Sequence, residues 1–174
     1  MAIGICLLVN SCSNDLEKIK EISIQSQSNY PIETIKDAEI IYSDSSKVRL
    51  TLFAKLMNRY KNDKEYIEIK DGLRVQFFDA NGKKESELLS DYGIIDQEND
   101  IMKAQKNVVV RNIYGDILES ESLNWNQSTN EIFTEDMVKI TTKNEIIFGE
   151  GLVSNQDFTK YSIKKIKGTL SIDN

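Results

Sequence analysis

Residues 108–116 read VVVRNIYGD, a run of valines that leads into a short segment with asparagine, glycine and aspartate. Valine favours strands, and Asn, Gly and Asp tolerate the positive φ angles of tight turns. Residues 119–125 follow as ESESLNW, which again alternates polar and apolar positions. Together these residues predict a β-hairpin.

The same pattern occurs twice more in the chain. Residues 73–89 read LRVQFFDANGKKESELL, and residues 138–152 read VKITTKNEIIFGEGL. Self-similarity at a spacing of about thirty residues is typical of stacked supersecondary units that cannot bury their apolar faces alone. The repeats predict an all-β fold of antiparallel strands, either a β-jelly roll or an open, twisted sandwich built from repeated β-units.

Alternation of apolar and polar residues extends this prediction over the chain from residue 38 onward. Val48, Leu50 and Leu52 share one face of a predicted strand, and residues 66–70 alternate in the same way. Residues 50–57, LTLFAKLM, also match helical spacing, so a helix remains an alternative there.

The repeats also predict which side chains point inward, because a strand places alternate residues on opposite faces. Val108 and Val110 align with Val138 and Ile140 at the start of residues 138–152. Residues 119–125 add Leu123 and Trp125 by the same alternation. The candidate inward residues are Leu73, Val75, Phe77, Val108, Val110, Leu123, Trp125, Val138 and Ile140.

Composition narrows the function classes. The chain has 174 residues and a net charge of −6, which argues against nucleic-acid binding because no basic surplus is available to displace counterions. It has no histidine, the commonest general base and zinc ligand. Its two cysteines, Cys6 and Cys12, both precede the predicted strands. The folded part of the chain is therefore expected to have neither a disulfide framework nor a thiolate metal site.

The N-terminus is predicted to be a targeting segment. Residues 1–9 are almost wholly apolar and lead into Val9-Asn10-Ser11-Cys12, which resembles a bacterial lipobox. The apolar run is shorter than the roughly 20 residues that span a bilayer. We therefore expect a lipoprotein signal peptide over 1–11, lipidation at Cys12, a membrane tether over 12–36 and a folded domain over 37–174. The alternative is that residues 1–9 form a buried core strand.

The order of these patterns along the chain resembles a known family. Residues 41–45 (IYSDS), 72–82 (GLRVQFFDANG), 107–112 (NVVVRN) and 149–159 (GEGLVSNQDFT), with Gly115-Asp116 and Leu123-Asn124-Trp125, are similar to the Bacteroidetes branch of the LptC family of lipopolysaccharide-export periplasmic proteins. The resemblance covers residues 38–168.

This resemblance implies a boat-shaped β-jelly roll that binds lipopolysaccharide in the periplasm. Family members receive the lipid from an inner-membrane ABC transporter and pass it to the next β-jelly-roll protein, to which they join by edge-strand addition. The acyl chains would lie in a groove lined by the nine inward residues. The best-known members carry an N-terminal transmembrane helix, whereas Cys12 predicts a lipid anchor, on the inner membrane or on the outer one.

Two alternative functional sites, a calcium site and a pair of catalytic carboxylates, have less support in the sequence. Asp91, Asp96, Glu98 and Asp100 suggest calcium, but they lack the glycine and closing glutamate of an EF-hand loop, so a solvated turn is expected. Glu85, Glu87, Glu119 and Glu121 suggest paired catalytic carboxylates, but they occupy equivalent places in two repeats, as structural repetition predicts. We therefore expect no enzyme and no cofactor. A lipid-anchored β-sandwich binding module with no conduit role is the alternative function.

Overall fold

The computed structural model describes residues 30–61, 64–156 and 158–172. The chain divides into two units, Met1–Tyr30 and Pro31–Asn174, and the described strands belong to the second. The strands are β1 (Glu33–Asp44), β2 (Lys47–Lys61), β3 (Glu65–Phe78), β4 (Lys84–Ser90), β5 (Tyr92–Asp96), β6 (Ile101–Asn112), β7 (Ile117–Asn126), β8 (Glu131–Thr141), β9 (Glu145–Asn155) and β10 (Tyr161–Ser171).

All ten strands form one antiparallel sheet in which neighbours in sequence are neighbours in space. The order is β1-β2-β3-β4-β6-β7-β8-β9-β10. Strand β5 follows β4 along the chain and, like β4, lies between β3 and β6 and pairs with both. Strands β4 and β5 therefore act as one strand that is interrupted at Asp91. The described residues form no helix, and the predicted all-β, jelly-roll class is confirmed.

The segment with helical spacing is part of β2. Leu50, Leu52 and Ala54 alternate inward, and the register with β3 then shifts between Ala54 and Leu56, so the next core residue is Met57. This β-bulge places Leu50, Ala54 and Met57 at the spacing i, i+4, i+7 that imitates a helix. The strand forms because β1 and β3 pair with it on both sides.

Interruptions of the strand pairing lie side by side across the first half of the sheet, and we call this line the crease. Its members are Asp37 in β1, Lys55 in β2, Asp71 in β3, Asp91 between β4 and β5, and Lys106 with Asn107 in β6. Four of them have positive φ: Asp37 (51°), Asp71 (63°), Lys106 (64°) and Asn107 (53°). Aspartate and asparagine adopt such φ values more easily than most residues, and bulges increase strand bending and twist. The crease thus bends the sheet along one line.

The bent sheet closes over its own inner face. Trp125 of β7 meets Tyr42 of β1 and Phe77 of β3 edge-to-face, each with 6.1 Å between ring centroids, although these strands are not neighbours in the sheet. The enclosed core includes Leu50, Leu52, Ile69, Val108, Val110, Leu123, Ile132, Val138 and Leu152, all fully buried.

The predicted repeats and turns are confirmed as consecutive hairpins. The three copies lie in β3–β4, β6–β7 and β8–β9. In the first, the Asp79 carboxylate accepts hydrogen bonds from the backbone N–H groups of Asn81 and Lys83, both at 2.8 Å. In the second, the Asn112 side chain does the same for Tyr114 and Asp116, both at 3.0 Å. The turn residues thus close each hairpin with their own side chains.

Strand β1 begins at Glu33, inside the stretch expected to be the end of the tether. Cys12 and the predicted signal peptide lie outside the described residues. Among the described residues, no helix is long and apolar enough to cross a membrane.

Candidate binding groove

The structure brings the nine predicted inward residues into one core. All are at most 7% exposed, which confirms their orientation. The alignment between repeats is also correct: in the sheet, Val108 and Val138 both pair with Ser120, and Val110 and Ile140 both pair with Leu118.

The space beside these residues is small. A cavity of about 30 Å³ borders Leu73, Val75, Phe77, Leu123 and Trp125, and a second of about 20 Å³ borders Val110 and Ile140. Neither of these two cavities borders Val108 or Val138. A volume of this size holds about one water molecule, so most of the predicted lining is a packed core.

A larger opening lies between β1–β3 and β5–β7, and we call it the mouth groove. Its volume is about 290 Å³. The lining is apolar at depth and polar at the rim; it consists of Ile40, Tyr42, Leu50, Leu52, Ile67, Ile95, Met102 and Trp125, with Gln97, Asp100 and Gln127 at the rim. Leu50, Leu52 and Trp125 are buried and form the floor, whereas Ile40, Ile67, Ile95 and Met102 are only half-buried and form the sides.

Sequence reasoning found only one of these groove residues, Trp125. Alternation could also have assigned Ile40, Ile67 and Ile95 to the inner face. Ile40 pairs with the buried Leu52, and Ile67 lies two residues before the buried Ile69 and pairs with Ile95. No pattern in the sequence shows that their part of the inner face is left open.

Trp125 connects the mouth groove to the enclosed cavity, because its side chain borders both. Its indole Nε1 is buried and has no hydrogen-bond partner among the residues that the structure describes. Tyr42 and Phe77 pack against the indole from β1 and β3. The floor of the groove therefore contains one unpaired donor in apolar surroundings.

Three members of the predicted acidic run, Asp96, Glu98 and Asp100, lie at the turn between β5 and β6, as predicted, whereas Asp91 lies apart in the crease. Asp96 accepts hydrogen bonds from the backbone N–H groups of Glu98 and Asn99 and from the Asn99 side chain, and these bonds lower the pKa of its carboxyl. Asp100 accepts a hydrogen bond from the Ser128 hydroxyl at 3.0 Å, which joins the β5–β6 turn to the β7–β8 turn. Among the described residues, no group of three or more His, Cys, Asp or Glu side chains is placed to hold a metal ion.

Comparison with known proteins identifies the family. A family model described as lipopolysaccharide-assembly, LptC-related, matches residues 1–170. The chain belongs to the LptC family. No curated protein matches it. Membership assigns this LptC-family protein to lipopolysaccharide transport, and the family is one of transport and binding components rather than a known enzyme family.

The repeated glutamates of this LptC-family protein make cross-strand contacts. Glu87 accepts a hydrogen bond from the Gln76 amide at 3.0 Å, and Glu119 pairs with Lys139 at 2.7 Å. Both partners lie on adjacent strands: Glu87 joins the two strands of its own hairpin, β3–β4, and Glu119 joins the β6–β7 hairpin to β8.

A half-buried carboxylate fastens the strands that carry one side of the groove. Glu68 of β3 accepts hydrogen bonds from the hydroxyls of Tyr60 at 3.0 Å and Tyr92 at 2.8 Å, and its other contact is the Lys70 ammonium at 2.9 Å. Burial raises the pKa of the Glu68 carboxyl, but the hydrogen bonds from Lys70, Tyr92 and Tyr60 outweigh it, so the pKa lies below its ordinary value. Burial and the bond to Glu68 raise the pKa of Tyr92 to about 12.

Replacing this carboxylate, Glu68→Gln, is expected to lower the free energy of unfolding by about 1–3 kcal/mol, because charged hydrogen bonds to two hydroxyls and an ammonium are weakened. Tyr92 should also titrate closer to its ordinary pKa of 10.0. In the wild type, a raised tyrosine pKa contributes stability that is present below pH 10 and lost as the pH rises towards 12. The lowered Glu68 pKa contributes stability that is lost as the pH falls below its ordinary value of 4.5.

Tyrosinate absorbance and urea unfolding at several pH values measure both effects. Glu65→Gln is a suitable control. Glu65 lies on β3 like Glu68, but its ion-pair partner is Arg59 of β2. A Tyr92 pKa that does not move in Glu68→Gln would contradict the assignment.

Proposed function

We propose that this protein is a periplasmic lipopolysaccharide-binding component of the export bridge and that the mouth groove receives lipid A acyl chains. The observation that supports it is an open apolar groove, with a polar rim and a tryptophan floor, in a member of a lipopolysaccharide-transport family. Each methylene that enters such a groove gains about 0.8 kcal/mol, so burial of part of one chain suffices for useful affinity.

The small size of the interior cavities limits how deeply an acyl chain enters the protein in this conformation. The groove of about 290 Å³ accepts a chain segment, whereas the cavity of about 30 Å³ behind Trp125 does not. The inward residues Leu73, Val75, Phe77, Val108, Val110, Leu123, Trp125, Val138 and Ile140 would line a deeper path only when the two halves of the sheet part. We propose that shallow binding at the mouth precedes that step.

The partners we propose join at the free edges of the sheet. Within the described part of the chain, strands β1 and β10 are the ends of the strand order and have unpaired backbone groups along one side. Each edge also carries apolar side chains that are more than half exposed: Ile41 on β1, and Ile166 and Leu170 on β10. Strand addition at one edge would join the transporter side, and at the other the next periplasmic β-jelly-roll protein. ATP hydrolysed by the ABC transporter would supply the energy.

A lipid on Cys12 is the proposed membrane attachment. With the signal peptide of residues 1–11 removed, this cysteine would become the anchored N-terminus of the tether. We propose the inner membrane as the destination, because the transporter that supplies the lipid lies there. A Cys12→Ser chain should then fractionate with soluble periplasmic proteins.

Photo-crosslinking in living cells tests the groove. A photo-crosslinking amino acid at Ile40 should give a lipopolysaccharide adduct, because this half-buried residue forms a side of the groove. Glu39 is the matched control, since it is exposed and points to the opposite face of the same strand. Adducts at both positions, or at neither, would favour the binding module with no conduit role.

The same cells test the edges. A crosslinker at Ile166 of β10 should capture a protein partner, whereas Met137 of β8, equally apolar and also more than half exposed but on a strand paired on both sides, should not. Capture at Met137 alone would contradict edge-strand addition.

A further inference from the structure

The unpaired indole N–H of Trp125 lowers the stability of the folded protein. The residue is 6% exposed, and its Nε1 atom is buried without a hydrogen-bond partner. A buried donor without an acceptor costs about 1–3 kcal/mol, and such groups in folded proteins call for a physical explanation. A phenylalanine would fill much of the same space without that penalty.

Water is a poor partner for this donor. The adjoining cavity of about 30 Å³ is large enough for one molecule, but it is bordered mainly by aliphatic and aromatic side chains such as Val75, Phe77 and Leu123. A buried water needs two to four polar partners, and the indole offers one. An acceptor that belongs to an otherwise apolar ligand meets the requirement better.

We infer that Trp125 Nε1–H donates a hydrogen bond to the carbonyl oxygen of the ester or amide that links an acyl chain to its head group. The inference rests on the proposed function and specifies the ligand chemistry of the same groove. Indole is a donor only and a carbonyl oxygen is an acceptor only, so the two groups match.

The position of Trp125 determines which part of the lipid meets it. The side chain lies where the open groove meets the enclosed cavity. A carbonyl at this point directs the head group towards the polar rim of Gln97, Asp100 and Gln127 and the chain along the apolar walls. The groove thereby distinguishes acyl lipids from alkyl lipids of equal length.

A matched lipid pair tests this specificity on the full chain. Lysophosphatidylcholine with an ester-linked chain and its ether-linked analogue differ only in the carbonyl oxygen. Below their micellar concentrations, the ester lipid should bind about fivefold more tightly, as expected for one net hydrogen bond. Trp125 is the only tryptophan, so its single indole N–H signal in ¹H–¹⁵N NMR should move downfield with the ester lipid and less with the ether lipid.

A variant pair assigns the effect to the indole. Trp125→Phe should reduce the ester-to-ether affinity ratio to about one, whatever happens to the absolute affinity. Phe133→Leu, which removes a half-buried ring opposite Asn124 on β8, should keep the ratio. If Trp125→Phe does not fold, the indole signal of the wild type decides alone.

The outcomes separate this inference from the proposed function. If neither lipid binds, acyl binding at the groove fails and the inference fails with it. If both bind equally and the indole signal does not distinguish them, acyl binding stands and the carbonyl contact is overturned. In that case the N–H group faces the ring of Tyr42 or Phe77, the two aromatic neighbours within 6.1 Å.

Discussion

Replacing Leu52 by alanine is expected to lower the free energy of unfolding by about 2–5 kcal/mol. Leu52 is 0% exposed and borders both the enclosed cavity and the mouth groove. Its partners in register are Ile40 on β1 and Val75 on β3, which the ladders hold in place. Since the strands cannot move in to fill the space, the substitution removes apolar burial and leaves a void that joins the two openings.

Urea unfolding followed by circular dichroism measures this loss. Ile41→Ala is the control, because Ile41 lies on β1 with 59% of its surface exposed and should change stability by no more than about 0.5 kcal/mol. A Leu52→Ala loss below about 1 kcal/mol would mean that the core collapses around the site, contrary to the packing described above.

Replacing Gly149 by alanine is expected to detach β10 from the sheet. An added Cβ would lie 2.2 Å from the Cγ2 atom of Ile163 and 3.0 Å from the backbone oxygen of Lys165. Rotation of the Ile163 side chain could relieve the first contact, but the second is with the backbone of the neighbouring strand. Of the strands that the structure describes, β10 pairs only with β9, so it is the element that moves. We expect a loss of about 1–3 kcal/mol, with hydrogen exchange of the β10 amides raised most.

Two further variants make this result specific. Gly168→Ala, on β10 itself, should have little effect, because nothing lies within 4 Å of an added Cβ there. Adding Ile163→Ala to Gly149→Ala should restore part of the stability, since it removes the closer of the two contacts. Loss of protection spread evenly over all strands would contradict local detachment of β10.

Both substitutions also affect the proposed route of the lipid. Leu52 is part of the floor of the mouth groove, and β10 is one of the two free edges offered to a partner. We therefore expect Leu52→Ala to alter lipid crosslinking at Ile40, and Gly149→Ala to alter protein crosslinking at Ile166.

Local chemistry along the chain was enough to predict the strands and their inward faces. Alternation assigned Val75 and Val110 to the inner face, and the turn residues around Gly82 and Gly115 correctly marked the turns of two hairpins. Such predictions succeed because side-chain direction in a strand and positive φ in a turn depend on neighbouring residues only. The family resemblance was readable for a related reason, since it rests on the order of these local patterns.

Bulges limited this reasoning. Leu50, Ala54 and Met57 share the inner face of one strand at helical spacing because the register shifts beside Lys55, where two residues of β3, Asp71 and Gly72, lie opposite one residue of β2. Nothing in residues 50–57 alone distinguishes a bulged strand from a helix, because the distinction depends on β1 and β3 pairing on either side.

The sequence alone therefore established an antiparallel β-protein with a defined inner face and an anchoring motif to test at Cys12. The fold of the sheet then divided that inner face into a closed core and an open groove: Val108 and Val138 are packed, whereas Ile40, Ile67 and Ile95 stand at the mouth. The physical reason is that alternation reports which side of a strand faces inward. Whether that side is covered depends on how the crease bends the sheet and on where distant residues such as Tyr42 and Trp125 meet.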